Sequence, residues 1–223
     1  MAGDRLDERS IALCAAREFQ DGMLVNLGIG IPTGCVTFIP PDKEVLFHSE
    51  NGLVGFGQII EDPKLADPNL INAGAQPVMA KPGMVIVDHA ESFAIVRGGH
   101  IDISVLGAFQ VSEKGDLANN VMPGKEVGSL GGGQDLAFCA KKLIVTMTHT
   151  DKENRPKIVK TCSSRITAPE CVDLIVTDIA VIDITERGMV LREVAPGWTA
   201  EEVQALTEPR LIVSPNLKEM GLI

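Results

Sequence analysis

Between Leu6 and Ser49 the chain alternates helix, strand, helix and strand, with connections so short that the strands must lie side by side in a layered α/β arrangement. Ile11, Cys14, Ala15 and Phe19 recur at i, i+3, i+4 and i+8, the apolar face of a helix over 6–20 that Asp21-Gly22 stops. Residues 23–29 read as a strand and 28–33 as a glycine-rich turn. Pro32 suits the first turn of a second short helix, which Pro40-Pro41 ends. Residues 45–49 form the next strand, which runs straight into Glu50-Asn51-Gly52.

Further strands are expected over 84–87, 103–106, 143–147 and 174–177, and a strand pair over 180–184 and 189–194. Short helices fit 91–97, closed by Gly98-Gly99, and about 135–141, opened by the glycine-rich 128–133. Thr199 and Glu202 form a capping box for a closing helix, and 211–213 suits a last strand. The segment 55–83 carries four prolines and reads as a long loop, of the kind that is functional or covers a site. Residues 151–160 are charged and read as a solvated loop. No repeat or linker divides the chain, so 1–223 is expected to be one domain, an open mixed sheet flanked by helices.

The net charge of −10, from 30 acidic and 20 basic residues, argues against nucleic acid or an anionic membrane as partner, since both need a basic footprint. Aromatic residues make up only 4%, with no Tyr, so a base-stacking platform is not expected either. Cys14, Cys35, Cys139, Cys162 and Cys171 are odd in number and lack C-x-x-C spacing, which fits neither a disulfide framework nor a zinc knuckle. The charged start has no apolar h-region, and no run approaches the ~18 apolar residues of a membrane span. A cytoplasmic location is the expectation.

Glu50 stands at the carboxyl end of a buried strand, where open α/β sheets bind their ligands. A carboxylate displayed there can serve as nucleophile or base, although a salt-bridged or solvated turn residue is the commoner use of such a position. Gly28-x-Gly30 after a strand, with Glu50 following, also has the outline of a dinucleotide fingerprint, but Thr33 occupies the place of its third glycine. Asp88-His89 and His100-x-Asp102 lack the spacing of a ligand triplet, so no metal is expected. Neither a G-x-S-x-G elbow nor a P-loop occurs.

Ser49-Glu50-Asn51-Gly52-Leu53-Val54-Gly55 resembles the S-E-N-G-L-x-G signature of the β subunits of family I coenzyme A transferases, the 3-oxoacid CoA-transferase group. Asn26–Thr33, Asn72–Ala75, Arg97–Asp102, Val105–Gln110, Gly115–Asn119, Pro123–Lys125, Gly131-Gly132 before Asp135-Leu136, Lys141–His149, Pro156–Lys160 and Glu193–Gly197 follow in the family's order. The resemblance therefore covers nearly the whole chain. It implies transfer of CoA between an acyl-CoA and a carboxylic acid, with Glu50 as the nucleophile that carries CoA as a glutamyl thioester. It implies that Gly28, Gly30, Gly131 and Gly132 lie near the CoA and the reacting carbonyl. Asn51 either donates a hydrogen bond there or forms the turn. No tightly bound cofactor is implied, CoA thioester being a substrate. An α subunit is implied as partner, in an α2β2 assembly.

The chain departs from the family's pattern at Val87-Asp88-His89, at Ser129–Leu136, at Asn119-Asn120 and at Ser163–Thr167. His89, Gln134 and Arg165 are thereby candidates to flank the acyl pocket. A CoA-thioester hydrolase, in which water resolves the intermediate, and a non-catalytic α/β binding subunit are the alternative readings.

Overall fold

The computed structural model describes residues 3–122, 124, 127, 128 and 131–222. Pro123, Lys125, Ser129 and Leu130 of the motifs above fall outside them. The first helix, α1, spans Glu8–Ala16, with the Asp7 side chain accepting from the Ser10 N–H as its N-cap. It is shorter than its apolar pattern, because Phe19 is buried from the turn that follows rather than from the helix. β1 (Leu24–Leu27) leads to a 3-10 helix over Ile31–Phe38, with a proline in its first turn, and then to β2 (Leu46–Ser49).

β3 (Leu53–Phe56) is a strand that the sequence reading placed partly in the loop. It pairs antiparallel with β2 through a tight turn at Glu50–Gly52, with Gly52 N–H bonding the Ser49 carbonyl. β4 (Val85–Ile86) extends this edge, and α2 (His89–Arg97) follows, N-capped by Asp88. β5 (Ile103–Gly107), α3 (Gly133–Cys139), β8 (Lys142–Thr146) and β10 (Leu174–Val176) complete the parallel centre. Between them, β6 (Gln110–Ser112), β7 (Leu117–Ala118) and β9 (Ile158–Val159) form a separate three-stranded sheet. β11 (Ala180–Thr185) and β12 (Gly188–Val194) form the expected antiparallel pair. α4 (Ala200–Ala205) has the Thr199–Glu202 capping box, and β13 (Ile212–Glu219) closes the sheet. β13 runs through Pro215, which a strand accepts at an edge.

The main sheet has ten strands in the order β13-β12-β11-β10-β8-β5-β1-β2-β3-β4. Its parallel strands stand as β2-β1-β5-β8-β10, so the strand order reverses between β1 and β5. Alternate residues of these strands feed two cores, one on each face. Val25, Ile103, Val105, Ile144, Leu174 and Val176 pack with Ile11 and Ala15 of α1 and Cys35 of the 3-10 helix. Leu106, Leu143, Val145 and Ile175 pack on the other face with Val96 of α2, Leu136 of α3 and Val203 of α4. This is a single-domain mixed sheet flanked by helices, in a doubly wound arrangement whose switch point lies between β1 and β5. Among the described residues no helix is long and apolar enough to cross a membrane, and no group of His, Cys, Asp or Glu is placed to hold a metal ion.

Candidate active site

A cavity of about 510 Å³ opens at the carboxyl ends of the parallel strands, over that switch point. Asn26 to Ile29 line it from the end of β1, Glu50 from the turn after β2, Leu106 to Phe109 after β5 and Thr146 to Thr148 at the end of β8. Gly131–Gly133 close it from the start of α3. The sheet thus brings Gly28, Glu50, Gly131 and Gly132 to one wall system. Gly30 and Asn51 are not among the lining residues. Gly30 takes φ 91° and caps the 3-10 helix, a conformation that suits glycine. Asn51 is exposed, and its amide donates to the Ile71 carbonyl at 2.8 Å, tying the turn to the segment after β3.

Glu50 is half-buried, and removal of water around it raises its carboxyl above the usual range, with His89 opposing. Gly132 is in direct contact with it. A Cβ at position 132 would fall 2.5 Å from Phe93 Cζ and closer still to Glu50 Oε2. Only glycine lets the carboxylate lie against the main chain there. Phe93 is held in turn by the His89 ring, 4.8 Å between centroids, and by Arg97, whose guanidinium lies 5.4 Å from the ring and bridges to Asp135 of α3. His89 therefore flanks Glu50 from behind Phe93 without lining the cavity. Gln134 and Arg165 do not line it either.

The main chain of Glu50 is anchored by a buried chain of polar groups. Ser92 Oγ donates to the Glu50 carbonyl at 2.8 Å and meets His48 Nε2 at 3.0 Å. His48 Nδ1 meets Asn26 Nδ2 at 2.9 Å, and the same amide nitrogen reaches the His48 carbonyl at 3.3 Å. These distances assign the protons. The Ser92 hydroxyl spends its one hydrogen on Glu50, so it accepts from Nε2–H, and Nδ1 accepts from Asn26. Reversing the Asn26 amide would set its oxygen against the His48 carbonyl. Asn26 Oδ1 is left as a buried acceptor without a partner, in a residue that lines the cavity.

Ser92→Ala removes the donor to Glu50 and leaves His48 Nε2–H unpaired. The expected result is a loss of about 1–3 kcal/mol in stability, with a fall in kcat of about tenfold. Urea unfolding and steady-state kinetics measure the two separately, and Ser92→Thr should restore both in part.

Burial lowers His48 to about 4, and His149 likewise. His149 is held neutral between Thr177 Oγ1 and Thr207 Oγ1, at 3.0 and 2.9 Å. A histidine lowered on folding binds its proton first in the unfolded chain. Its contribution to stability is present above the unfolded value of 6.5 and is lost as pH falls from there toward 4. Unfolding free energy should drop by about 2 kcal/mol per histidine between pH 7 and pH 5. Glu50 and Asp183, whose carboxyls burial raises, act in the opposite sense. Denaturant titrations at the two pH values check the net fall, and His149→Gln should make it shallower.

Residues 151–160 are not the wholly solvated loop that their charge suggested. Asp151 to Arg155 are largely exposed and tied by ion pairs, but Ile158 and Val159 are buried in β9 and Lys157 lines the cavity. The long segment after β3 also folds back on the site. Ala73, which lines the cavity, donates its N–H to Ser49 Oγ at 2.8 Å.

The chain matches the family model described as coenzyme A transferase over residues 9–206. It is 45% identical over 205 residues to "Probable coenzyme A transferase subunit beta" of Bacillus subtilis, covering 92% of this chain and 94% of that one. It is 45% identical over 222 residues to human "Succinyl-CoA:3-ketoacid coenzyme A transferase 2, mitochondrial", covering 98% of this chain and 43% of that one. The Escherichia coli O157:H7 acyl-CoA transferase YdiF, a solved structure, superposes with TM-score 0.76 at 22% identity, over 98% of this chain and 44% of that one, a likeness of fold. The strand-end cavity with Glu50 on its wall is thus found in a chain that belongs to the coenzyme A transferase family.

Proposed function

We propose that the chain is the β subunit of an enzyme that moves CoA from a donor of the succinyl-CoA or acetyl-CoA type to a short carboxylic or 3-oxo acid, acting with an α subunit in an α2β2 assembly. The observation that carries this reading is the Glu50 carboxylate, half-buried on the cavity wall and seated against Gly132. The names of the relatives support the subunit role and the donor and acceptor classes.

Glu50 attacks the thioester carbonyl and expels CoA thiolate, leaving a mixed anhydride between Glu50 and the acyl group. The thiolate attacks the glutamyl carbonyl and releases the first carboxylic acid as its anion, leaving a glutamyl-CoA thioester. The incoming carboxylate attacks that carbonyl, again expelling thiolate, and the thiolate takes the new acyl group and frees Glu50. Each step exchanges one acyl bond for another, so no oxidant and no net proton is needed. The glutamate is ionised near neutral pH, and its partial desolvation makes it a better nucleophile than in water. Each addition places negative charge on an oxygen, and the glycine-rich start of α3 offers backbone N–H groups close to Glu50.

The test is to trap the intermediate. The chain, assembled with its α subunit and incubated with acyl-CoA, is reduced with borohydride and its peptides are analysed by mass. Conversion of Glu50 to the alcohol is the expected result. An unmodified Glu50 together with product formation would overturn the covalent route, and acyl-CoA breakdown independent of any acceptor would establish a hydrolase instead.

A further inference from the structure

The segment between β3 and β4 is anchored in the core on the α1 face. Val78 is buried in that core, Ile59 and Leu70 pack against it, and the bridges Ile59–Val78 and Ile71–Pro77 draw the segment into a hairpin. Its tip, residues 72–76, is organised by the buried Asn72. Asn72 Oδ1 accepts from the Gly74 and Gln76 N–H groups at 2.9 and 3.0 Å, and its Nδ2 donates to Gln76 Oε1 at 3.1 Å. The Asn72 N–H donates to the Gln76 carbonyl and the Asn72 carbonyl accepts from the Ala75 N–H, each at 2.9 Å. Ala75 takes φ 59°, a left-handed conformation that a residue with a Cβ keeps only where its surroundings impose it. Four of the five N–H groups of the tip are thereby used inside it. The fifth, that of Ala73, is delivered to Ser49 Oγ at 2.8 Å.

The tip grips the Glu50 turn from both sides. Ser49, just before Glu50, accepts from Ala73, and Asn51, just after it, donates its amide hydrogen to the Ile71 carbonyl at 2.8 Å. Gly74 abuts the 3-10 helix, since a Cβ there would lie 3.8 Å from Thr33 Cγ2, and the Thr33 hydroxyl donates to the Gly30 carbonyl at 2.7 Å. One short tip thus ties the turn that carries Glu50 to the start of the 3-10 helix, and both line the cavity. Asn72 itself does not line it, whereas Ala73 does. We propose that Asn72 is a positioning residue for Glu50: the tip it shapes clamps residues 49 and 51 and so keeps the carboxylate on its seat against Gly132. The inference rests on the transferase reading above and deepens it. On that reading Glu50 carries first an acyl group and then the whole of CoA, and each load pulls on a turn of three residues. Ser92 holds the carbonyl of Glu50 and the tip holds both its neighbours, so the turn is fixed at three consecutive residues.

A positioning role costs turnover and spares binding, and kinetics of the assembled α–β enzyme reads the difference. Asn72→Ala is expected to lower kcat ~30-fold, since a shift of about 1 Å at the reacting carboxylate is enough for that. KM for the acyl-CoA should stay within ~3-fold of wild type, because the lost contacts are not made to substrate. Asn72→Asp keeps both bonds to Oδ1 and lets Gln76 turn its amide to donate, so its kcat should return to within ~3-fold of wild type. Ser49→Ala removes the acceptor at the other end of the same clamp. As the two side chains act through one contact, the double variant Ser49→Ala, Asn72→Ala should be no more than about twofold slower than Asn72→Ala alone. Losses that multiply, an Asn72→Ala enzyme with wild-type kcat, or a KM raised as much as kcat is lowered would each overturn the proposal. The Glu50 trap, run on the same samples, tells the two readings apart. Labelling of Glu50 at the same rate in wild type and Asn72→Ala rejects the positioning role alone. Absence of label in the wild type with every acyl-CoA rejects the transferase reading and this proposal with it. An Asn72→Ala chain that fails to assemble passes the decision to Ser49→Ala, which leaves the bonds inside the tip intact, and there a kcat within about twofold of wild type would overturn it.

Discussion

Glu50→Gln in the assembled enzyme is expected to lower kcat/KM by ~10⁴-fold or more, because on the proposed covalent route it removes the atom that forms the bond and not merely a contact to it. The substitution keeps the side chain's volume and its place against Gly132. Thermal stability should therefore stay level or rise slightly, since the wild-type carboxylate is held partly out of water, which already raises its pKa. Binding of CoA, measured by calorimetry, should weaken far less than turnover. Residual transfer above about one hundredth of the wild-type rate, in a preparation free of deamidated protein, would be incompatible with Glu50 as nucleophile.

The second large effect is expected at Gly132→Ala. The added methyl overlaps two side-chain ends, the Glu50 carboxylate and the edge of the Phe93 ring, and no main-chain atom lies as close. Side-chain ends can yield, so the chain should fold with a modest loss of stability. The yielding is what destroys the activity, because the carboxylate must leave its seat. A displacement of about 1 Å at a reacting atom is enough for ~10²-fold in kcat. Gly133→Ala provides the comparison one residue on. Its Cβ would meet Asn119 at 3.5 Å, ordinary contact, and it should lose much less. Similar losses in the two variants, or a Gly132→Ala chain that no longer folds, would remove the seat of Glu50 from the explanation.

The parallel strands were legible in the sequence because each is buried on both faces and reads as a compact apolar run between turn residues. Leu143–Val145 and Leu174–Val176 are of this kind, and so is the pair β11–β12. The strands that escaped notice are β6, β7 and β9, of two or three residues each. They are too short to show a period, and β9 finds its partner β6 only across the intervening β8. β3 was half hidden because Gly55 and the prolines beyond Phe56 gave its surroundings the composition of a loop.

The site divides in the same way. Glu50 and the glycines could be read from local pattern, since a motif carries its own turn geometry. Lys157 could not, because Asp151 to Arg155 give its segment the look of solvent and nothing local reports that β9 turns the chain back under the strand ends. Nor could the chain from Asn26 through His48 and Ser92 to Glu50, whose members come from β1, β2 and α2.

What the sequence determined by itself was the layered α/β class, the tight turn at Glu50 and the family to which the motifs belong, all encoded in short stretches of chain. Only the tertiary structure decided that strand order reverses between β1 and β5, that Gly132 and not Asn51 meets the carboxylate, and that a lysine more than a hundred residues from Glu50 in sequence lines the same cavity. Those outcomes depend on which buried surfaces meet across the whole sheet, and no window of sequence contains both partners.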